Sequence, residues 1–197
     1  MYCLLLDSAN KYLCVGLSKD KKVIDKVFYE AWQRQSEVMI EEIDNLLKRN
    51  NIAKKDLSAV VVGVGPGSYT GVRIAITIAK TICYALHIKM YAVSSLKILE
   101  DSNHPTICVF NARSGRSYVG VYHNDEIILD DQVMENDKLL SYISSHQDYK
   151  ISGDAKHLGI KHEEVDVIAN LAKAENDINL VNDIFALKPK YLKEIKS

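Results

Sequence analysis

The segment from residue 57 to residue 86 constrains the fold more than any other part of the chain. Residues 57–64 are almost all apolar, and a glycine-rich turn, residues 65–71, leads from them directly into residues with helical periodicity. An apolar run of this length predicts a strand covered on both faces. Ser68 or Thr70 can cap the helix that follows, which we expect to end at Leu86. The chain therefore contains a strand–turn–helix unit typical of α/β folds.

The glycine turn has the outline of a phosphate loop without the residues of either common type. A Walker loop needs a lysine and a hydroxyl after its second glycine, whereas Gly65 and the next five residues end at Thr70 and are followed by Gly71 and Val72. A dinucleotide loop needs a third glycine where Thr70 stands. Backbone amides at the helix start could still attract an anion. The simpler interpretation is a tight strand-to-helix connection.

Composition excludes several classes of protein. The chain has 197 residues and a net charge of -1, with 25 basic residues against 26 acidic ones. This balance argues against a protein whose own surface provides the electrostatic grip on nucleic acid, and leaves that grip to a partner. No run of 18 apolar residues is present, so we expect a cytoplasmic protein without a membrane span. The four cysteines form no CxxC pair and are expected to be reduced core thiols.

Periodicity predicts a mixed α/β chain in two parts. A boundary is expected near residues 102–105, which separates a domain of residues 1–104 from a smaller one of residues 105–197. In the first part we predict strands at 2–6, 12–18, 23–31, 57–64 and 90–93, and helices at 36–50, 68–86 and 94–101. In the second part we predict strands at 106–111, 117–123 and 126–133, a helix at 136–145 capped by Asn136, and an extended segment at 150–152. Residues 165–176 and 186–195 carry mixed signals.

The helix after the glycine turn is apolar over about 200° of its circumference, more than one sheet can cover. Within that arc Gly71, Ala75, Ala79 and Cys83 recur every four residues, which forms a ridge that another helix can approach closely. Burial between the sheet and the first helix explains the pattern. Contact with a helix of a partner protein explains it equally well. The second interpretation predicts these partner-interface residues: Gly71, Ala75, Ile78, Ala79 and Ile82, with Met39 and Ile43 from the first helix.

Residues 63–74, GVGPGSYTGVRI, resemble the signature of the bacterial TsaB (YeaZ) family. The resemblance extends to Ala79-Lys80, to residues 93–96 and to the turn at residues 6–8. It also extends to residues 34–37, 111–115 and 189–193. Two departures are Gln35, where the family commonly has histidine, and Asn111, where it usually has aspartate.

This resemblance implies an actin-like ATPase (ASKHA, ribonuclease H-like) α/β fold with two related domains, the second reduced. It also implies a non-catalytic scaffold subunit of the complex that makes N6-threonylcarbamoyladenosine beside the anticodon of tRNAs reading codons that begin with A. The implied partners are a paralogous TsaD-type catalytic subunit and a TsaE-type ATPase, with tRNA reached through the complex. A homodimer through the same first-domain helices is implied when the chain is alone.

In the actin-like class, two segments contact nucleotide, and here they correspond to Asp7, Ser8, Gly153 and Asp154. The first turn lacks a glycine and the second domain is small, so we expect no bound cofactor. We also expect no metal and no catalytic residue, because the six histidines show no His-x-x-x-His spacing and no GxSxG elbow is present. Two other hypotheses stay open: an independent actin-like ATPase or kinase, and a glycoprotease-type peptidase.

Overall fold

The structure is a computed structural model that describes residues 1–31, 34–124 and 126–192. Its first sheet has five strands in the order β3-β2-β1-β4-β5. The first three strands are antiparallel, and β4 and β5 run parallel to β1. The strands are β1 (Tyr2–Asp7), β2 (Tyr12–Lys19), β3 (Lys22–Glu30), β4 (Leu57–Gly63) and β5 (Lys89–Val93).

The central strands of this sheet are buried on both faces, as the apolar run at 57–64 predicts. Leu4 and Leu6 of β1 point to one side, where they share a core with the two long helices, and Leu5 points to the other side. The helices are α1 (Gln35–Arg49) and α2 (Tyr69–Leu86). The four cysteines are free and buried, as expected.

The two helix starts differ in how they are capped. At α2, Ser68 Oγ accepts a hydrogen bond from the Gly71 amide at 3.2 Å, which confirms one of the two predicted caps. At α1 the helix begins at Gln35, so Ser36 lies inside the first turn and the residue before the helix, Arg34, makes no side-chain cap.

The second sheet has four strands in the order β8-β7-β6-β9, with β9 parallel to β6. This is the arrangement of β3-β2-β1-β4 in the first sheet, so the two domains are related as expected for an actin-like fold. The strands are β6 (Thr106–Arg113), β7 (Arg116–His123), β8 (Glu126–Glu135) and β9 (Lys150–Gly153), and helix α3 (Asn136–Ser145) precedes β9.

Two predicted helix details are wrong. Asn136 is the first residue of α3 and does not cap it, because its side-chain oxygen accepts a hydrogen bond from Ser117 Oγ at 2.9 Å. The helix predicted for 94–101 is only a short 3-10 turn at Lys97–Leu99. Ser94 Oγ still accepts from the amides of Leu96 and Lys97, but the chain straightens at Glu100.

The chain returns to the first sheet after β9. Helix α4 (Val167–Lys173), within the ambiguous segment 165–176, places Ile168 and Leu171 against Leu5 on the face that α1 and α2 leave open. Residues 181–192, which we call the strap, then run beside α2 without regular secondary structure. The boundary at 102–105 therefore separates the two sheets. Residues 166–192 pack on the first one, except that the Lys190 side chain reaches β8 of the second. Of the ambiguous segment 186–195, residues 193–195 lie outside the described part.

The glycine turn presses directly on the turn between β1 and β2. Ser8 Oγ donates to the Gly71 carbonyl at 2.8 Å, and the Ser68 amide donates to the Ala9 carbonyl at 2.6 Å. A Cβ added at Gly71 would lie 1.9 Å from the Ser8 carbonyl oxygen, and one at Gly67 would lie 2.1 Å from that of Ala9. Glycine is needed at these positions because the two backbones touch.

Gly71→Ala tests this contact, because the contact decides whether the change raises or lowers the free energy of unfolding. In an ordinary helix the change stabilises by about 1 kcal/mol, but here the new methyl group must push two backbones apart, so we expect a loss of about 1–3 kcal/mol. Thr70→Ala, at an exposed position in the same helical turn, is the control and should change stability by less than about 0.5 kcal/mol. Urea unfolding measures both, and a stabilised Gly71→Ala protein would contradict the contact.

Candidate functional site

A cleft of about 1130 Å³ lies between the two domains. Its first-domain wall is formed by the turn after β1 and by the glycine turn, and its second-domain wall by the ends of β6 and β9. Asp7, Gly153 and Asp154, three of the four candidate nucleotide-contacting residues, line it together. The cleft also contains basic side chains that sequence reasoning did not single out: Lys11, Arg113 and Lys156.

Asp7 is engaged inside the protein. Its side chain is 1% exposed and accepts hydrogen bonds from Ser95 Oγ at 2.6 Å and from the Ala9 amide at 3.0 Å. Ser95 Oγ in turn accepts from the Gly65 amide at 3.0 Å. Burial raises the pKa of Asp7 to about 6, although both hydrogen bonds favour the ionised form. This carboxyl group therefore joins the first turn, the glycine turn and the segment after β5.

The other candidate nucleotide contacts, Ser8, Gly153 and Asp154, are also held against neighbouring backbone. Ser8 is fully buried behind the cleft wall and spends its hydroxyl on the Gly71 carbonyl. Gly153 has a φ of +96°, and a Cβ there would meet the Val109 carbonyl oxygen at 2.3 Å. The Asp154 amide donates to that same carbonyl at 2.8 Å. The end of β9 is thus held tightly against β6.

A buried carboxylate connects the two domains and the strap. The Asp131 side chain on β8 is 0% exposed and accepts hydrogen bonds from Ser94 Oγ at 2.6 Å and from Tyr122 Oη. Lys190 Nζ lies 2.9 Å from Asp131 Oδ2, the same oxygen that accepts from Ser94, and 3.1 Å from Asp130 Oδ1. Ser94 belongs to the first domain, so this cluster spans the domain boundary. No short motif marks it, because its members are up to 96 residues apart, from Ser94 to Lys190.

The predicted partner-interface residues divide into two groups. Ile78 and Ile82 are half-buried on α2, next to Ile74 in the same state. The other predicted residues are buried, and none of their side chains is more than 7% exposed. They are Met39, Ile43, Gly71, Ala75 and Ala79.

The small-residue ridge is therefore used within the chain, where α2 lies against α1, β1 and β4. We remove its residues, with Met39 and Ile43, from the expected partner surface and keep Ile78 and Ile82. An apolar residue that the sequence argument omitted joins them, since Ile40 on the neighbouring helix α1 is 62% exposed. We call Ile40, Ile74, Ile78 and Ile82 the helical apolar face.

Across residues 1–31, 34–124 and 126–192, no group of three or more His, Cys, Asp or Glu side chains is arranged to hold a metal ion. In the same ranges no helix is long and apolar enough to span a bilayer.

Comparisons with known proteins match a TsaD family model and relatives named TsaB. A family model described as TsaD, tRNA N6-adenosine threonylcarbamoyltransferase, matches residues 29–189. The tRNA threonylcarbamoyladenosine biosynthesis protein TsaB of Bacillus subtilis is 34% identical over 145 residues, which cover 72% of this chain and 63% of that protein. The protein of the same name from Escherichia coli is 29% identical over 133 residues, covering 64% and 57%. The match thus spans less than two thirds of these relatives.

The fold is shared with a solved structure over nearly the whole chain. YeaZ from Pseudomonas aeruginosa superposes with a TM-score of 0.80 at 21% sequence identity, covering 97% of this chain and 99% of that one. This agreement confirms the expected α/β actin-like fold.

Lys190→Ala tests the buried cluster between the domains. Removal of the ammonium group leaves the Asp131 carboxylate buried with two hydroxyl donors, so we expect a loss of about 1–2 kcal/mol, less than for a fully buried ion pair because Lys190 is partly solvated. Lys188→Ala, two residues earlier and exposed, is the control and should be nearly neutral. Thermal and urea unfolding give both values, and equal stability of the two variants would refute the role of the cluster.

Asp7 should make the protein less stable as pH rises, the opposite of what most carboxyl groups do. The folded chain holds the Asp7 proton up to about pH 6, whereas an unperturbed aspartate releases it near pH 3.8. The folded state therefore binds more protons in that window, and the unfolding free energy falls as pH rises through it. Relative to Asp7→Asn, the native protein should lose about 2 kcal/mol between pH 4 and 6. A constant difference between the two proteins across that range would contradict this prediction.

Proposed function

Because the chain belongs to the TsaB (YeaZ) family, we propose that it is a non-catalytic scaffold subunit in the synthesis of N6-threonylcarbamoyladenosine on tRNA. Its proposed direct partner is a TsaD-type catalytic subunit, which carries out the transfer of the threonylcarbamoyl group. A TsaE-type ATPase joins the two, and the assembly works in the cytoplasm.

The observation that carries this proposal is the helical apolar face. Ile74, Ile78 and Ile82 repeat every four residues and form one line along α2, and Ile40 projects from α1. Such a line on a helix pair suits packing against helices of another subunit, with the ridges of one in the grooves of the other. An isoleucine that is 62% exposed gains stability only when a partner covers it. A second copy of the chain would use the same face in the absence of the catalytic subunit.

The state of the first turn supports a scaffold over an independent ATPase or kinase. In a turn that cradles phosphates, backbone amides must be free to donate to them. Here the Ala9 amide donates to Asp7 and the Tyr12 amide donates to Asn10 Oδ1 at 2.7 Å. The Ala9 carbonyl is covered by the glycine turn. The two amides are thus used within the first turn, and the Ala9 carbonyl joins it to the glycine turn.

Co-elution with the catalytic subunit tests the proposed interface. We expect Ile40→Glu and Ile78→Glu each to weaken the complex at least tenfold, because a carboxylate would be buried without a partner. Ile127→Glu is a matched control, since Ile127 is 59% exposed on β8 of the other domain and should leave binding unchanged. Size-exclusion chromatography and calorimetry measure the effect. Full binding by both α1 and α2 variants would reject this face as the interface.

ATP hydrolysis by the isolated chain separates the scaffold from the ATPase or kinase hypothesis. We expect no turnover above background, and the same result for Asp7→Asn. Turnover that disappears in Asp7→Asn would instead favour an independent actin-like enzyme.

A further inference from the structure

Exposed aromatic and basic side chains gather on the side of α2 that lies next to the strap. In the part of the chain that the structure describes, six large aromatic side chains are exposed, and four of them lie here, 43–68% exposed. We call the following residues the aromatic–basic face: Tyr69, Arg73, Tyr84, Phe185, Lys188 and Tyr191.

Contacts between side chains hold these residues as one surface. Tyr69 and Tyr191 stack with their ring centroids 5.0 Å apart, and Arg73 Nη1 lies 2.6 Å from Tyr69 Oη. Further along, Tyr84 meets Phe185 edge to face at 5.5 Å. Between the two pairs, Lys80 Nζ donates to the carbonyls of Phe185 and Leu187 and so fixes the strap to the helix. The rings are therefore ordered before any ligand arrives.

The local charge is positive although the whole chain is nearly neutral. Helix α2 contains Arg73 and Lys80 but no aspartate or glutamate. The strap contains two lysines and one carboxylate, Asp183, which accepts hydrogen bonds from the amides of Phe185 and Ala186. Within the described ranges, no ion pair engages Arg73 or Lys188, whereas the ammonium group of Lys190 pairs with Asp130 and Asp131. Two basic side chains of the face thus remain available to an anionic partner.

This face is distinct from the helical apolar face. At 100° per residue, the centre of Tyr69, Arg73 and Tyr84 lies about 150° around α2 from that of Ile74, Ile78 and Ile82. A catalytic subunit on one side of the helix would leave the other side open. The face extends about 22 Å along the helix from Tyr69 to Tyr84, a length that accommodates several nucleotides.

We propose that the aromatic–basic face binds RNA, with unpaired bases against the exposed rings and phosphates at Arg73 and Lys188. Aromatic side chains interleaved with cations are the means by which proteins hold unpaired nucleotides, since every base has a stacking face and every nucleotide a negative charge. A protein partner that covered this surface would bury cations that have no ion-pair partner, which makes RNA the better fit. The Tyr69–Tyr191 pair lies at the rim of the interdomain cleft, so bound RNA would run from that rim along α2. This proposal rests on the proposed role in tRNA modification and assigns part of the tRNA contact to this chain.

Fluorescence anisotropy with a labelled RNA hairpin that has an unpaired loop tests the proposal on the full chain at low salt. We expect Tyr69→Ala to weaken binding about tenfold, as for the loss of one stacked base. Arg73→Ala should weaken binding and lower the slope of log K against log salt concentration by about one. The matched controls are Tyr29→Ala and Lys22→Ala, both exposed on β3, and neither should change binding. Lys188→Glu changes an exposed residue without loss of packing and should weaken binding even where Tyr69→Ala impairs folding.

Two outcomes would overturn the proposal. The first is that RNA does not bind, or that it binds the native chain and the variants Tyr69→Ala, Arg73→Ala and Lys188→Glu equally well. This result would have to hold both for the chain alone and for its complex with the catalytic subunit. The other is unchanged RNA binding with loss of a dimer in sedimentation, which would assign the face to a second copy of the chain. Co-elution with the catalytic subunit is measured on the same variants. If it persists while RNA binding does not depend on this face, the scaffold role stands and only the RNA contact is rejected.

Discussion

The contact between two turns is the interaction on which the rest of the structure depends. The turn after β1 and the glycine turn after β4 are joined by two hydrogen bonds, from the Ser8 hydroxyl to the Gly71 carbonyl and from the Ser68 amide to the Ala9 carbonyl. Asp7 adds a third connection, through Ser95 to the Gly65 amide. These bonds set where α2 begins and therefore how it lies across β1 and β4. They also use polar groups that a phosphate-binding turn would present to its ligand.

The need to cover both faces of the first sheet explains why the last part of the chain leaves the second sheet. The parallel strands β1, β4 and β5 require cover on both faces, and α1 and α2 cover only one. Helix α4 supplies the other layer, with Ile168, Leu171 and Ala172 in the same core as Cys3 and Leu5. The strap then passes α2 and places Lys190 on Asp131 of the second sheet. The two domains are thus joined by a crossing chain and a buried carboxylate as well as by the link at residues 102–105.

Helix α2 divides its circumference among three environments. The ridge of Gly71, Ala75 and Ala79 packs inside the first domain, which explains the small side chains without a partner. The helical apolar face lies on one flank, and the strap with its aromatic and basic side chains lies on the other. The proposed scaffold role calls for separate surfaces for separate partners, and a single long helix has two separate exposed flanks. The small residues at its centre allow this, because they bring α2 close to the sheet and leave both flanks outward.

The sequence by itself determined the local elements and the need for close packing. The apolar run at 57–64, the cap at Ser68 and the four-residue spacing of small side chains each follow from local pattern. The resemblance to actin-like proteins singled out Asp7, Gly153 and Asp154, and the structure places them in one cleft. Only the tertiary structure decided which neighbour uses each surface. A ridge at Gly71, Ala75 and Ala79 predicts close packing against another element, but the elements that pack there are α1 and the sheet of the same chain. The Asp131 cluster and the return of α4 were beyond sequence reasoning for the same physical reason. Their contacts join residues far apart in the chain, and the identity of an apolar or charged residue does not specify which distant segment it will contact.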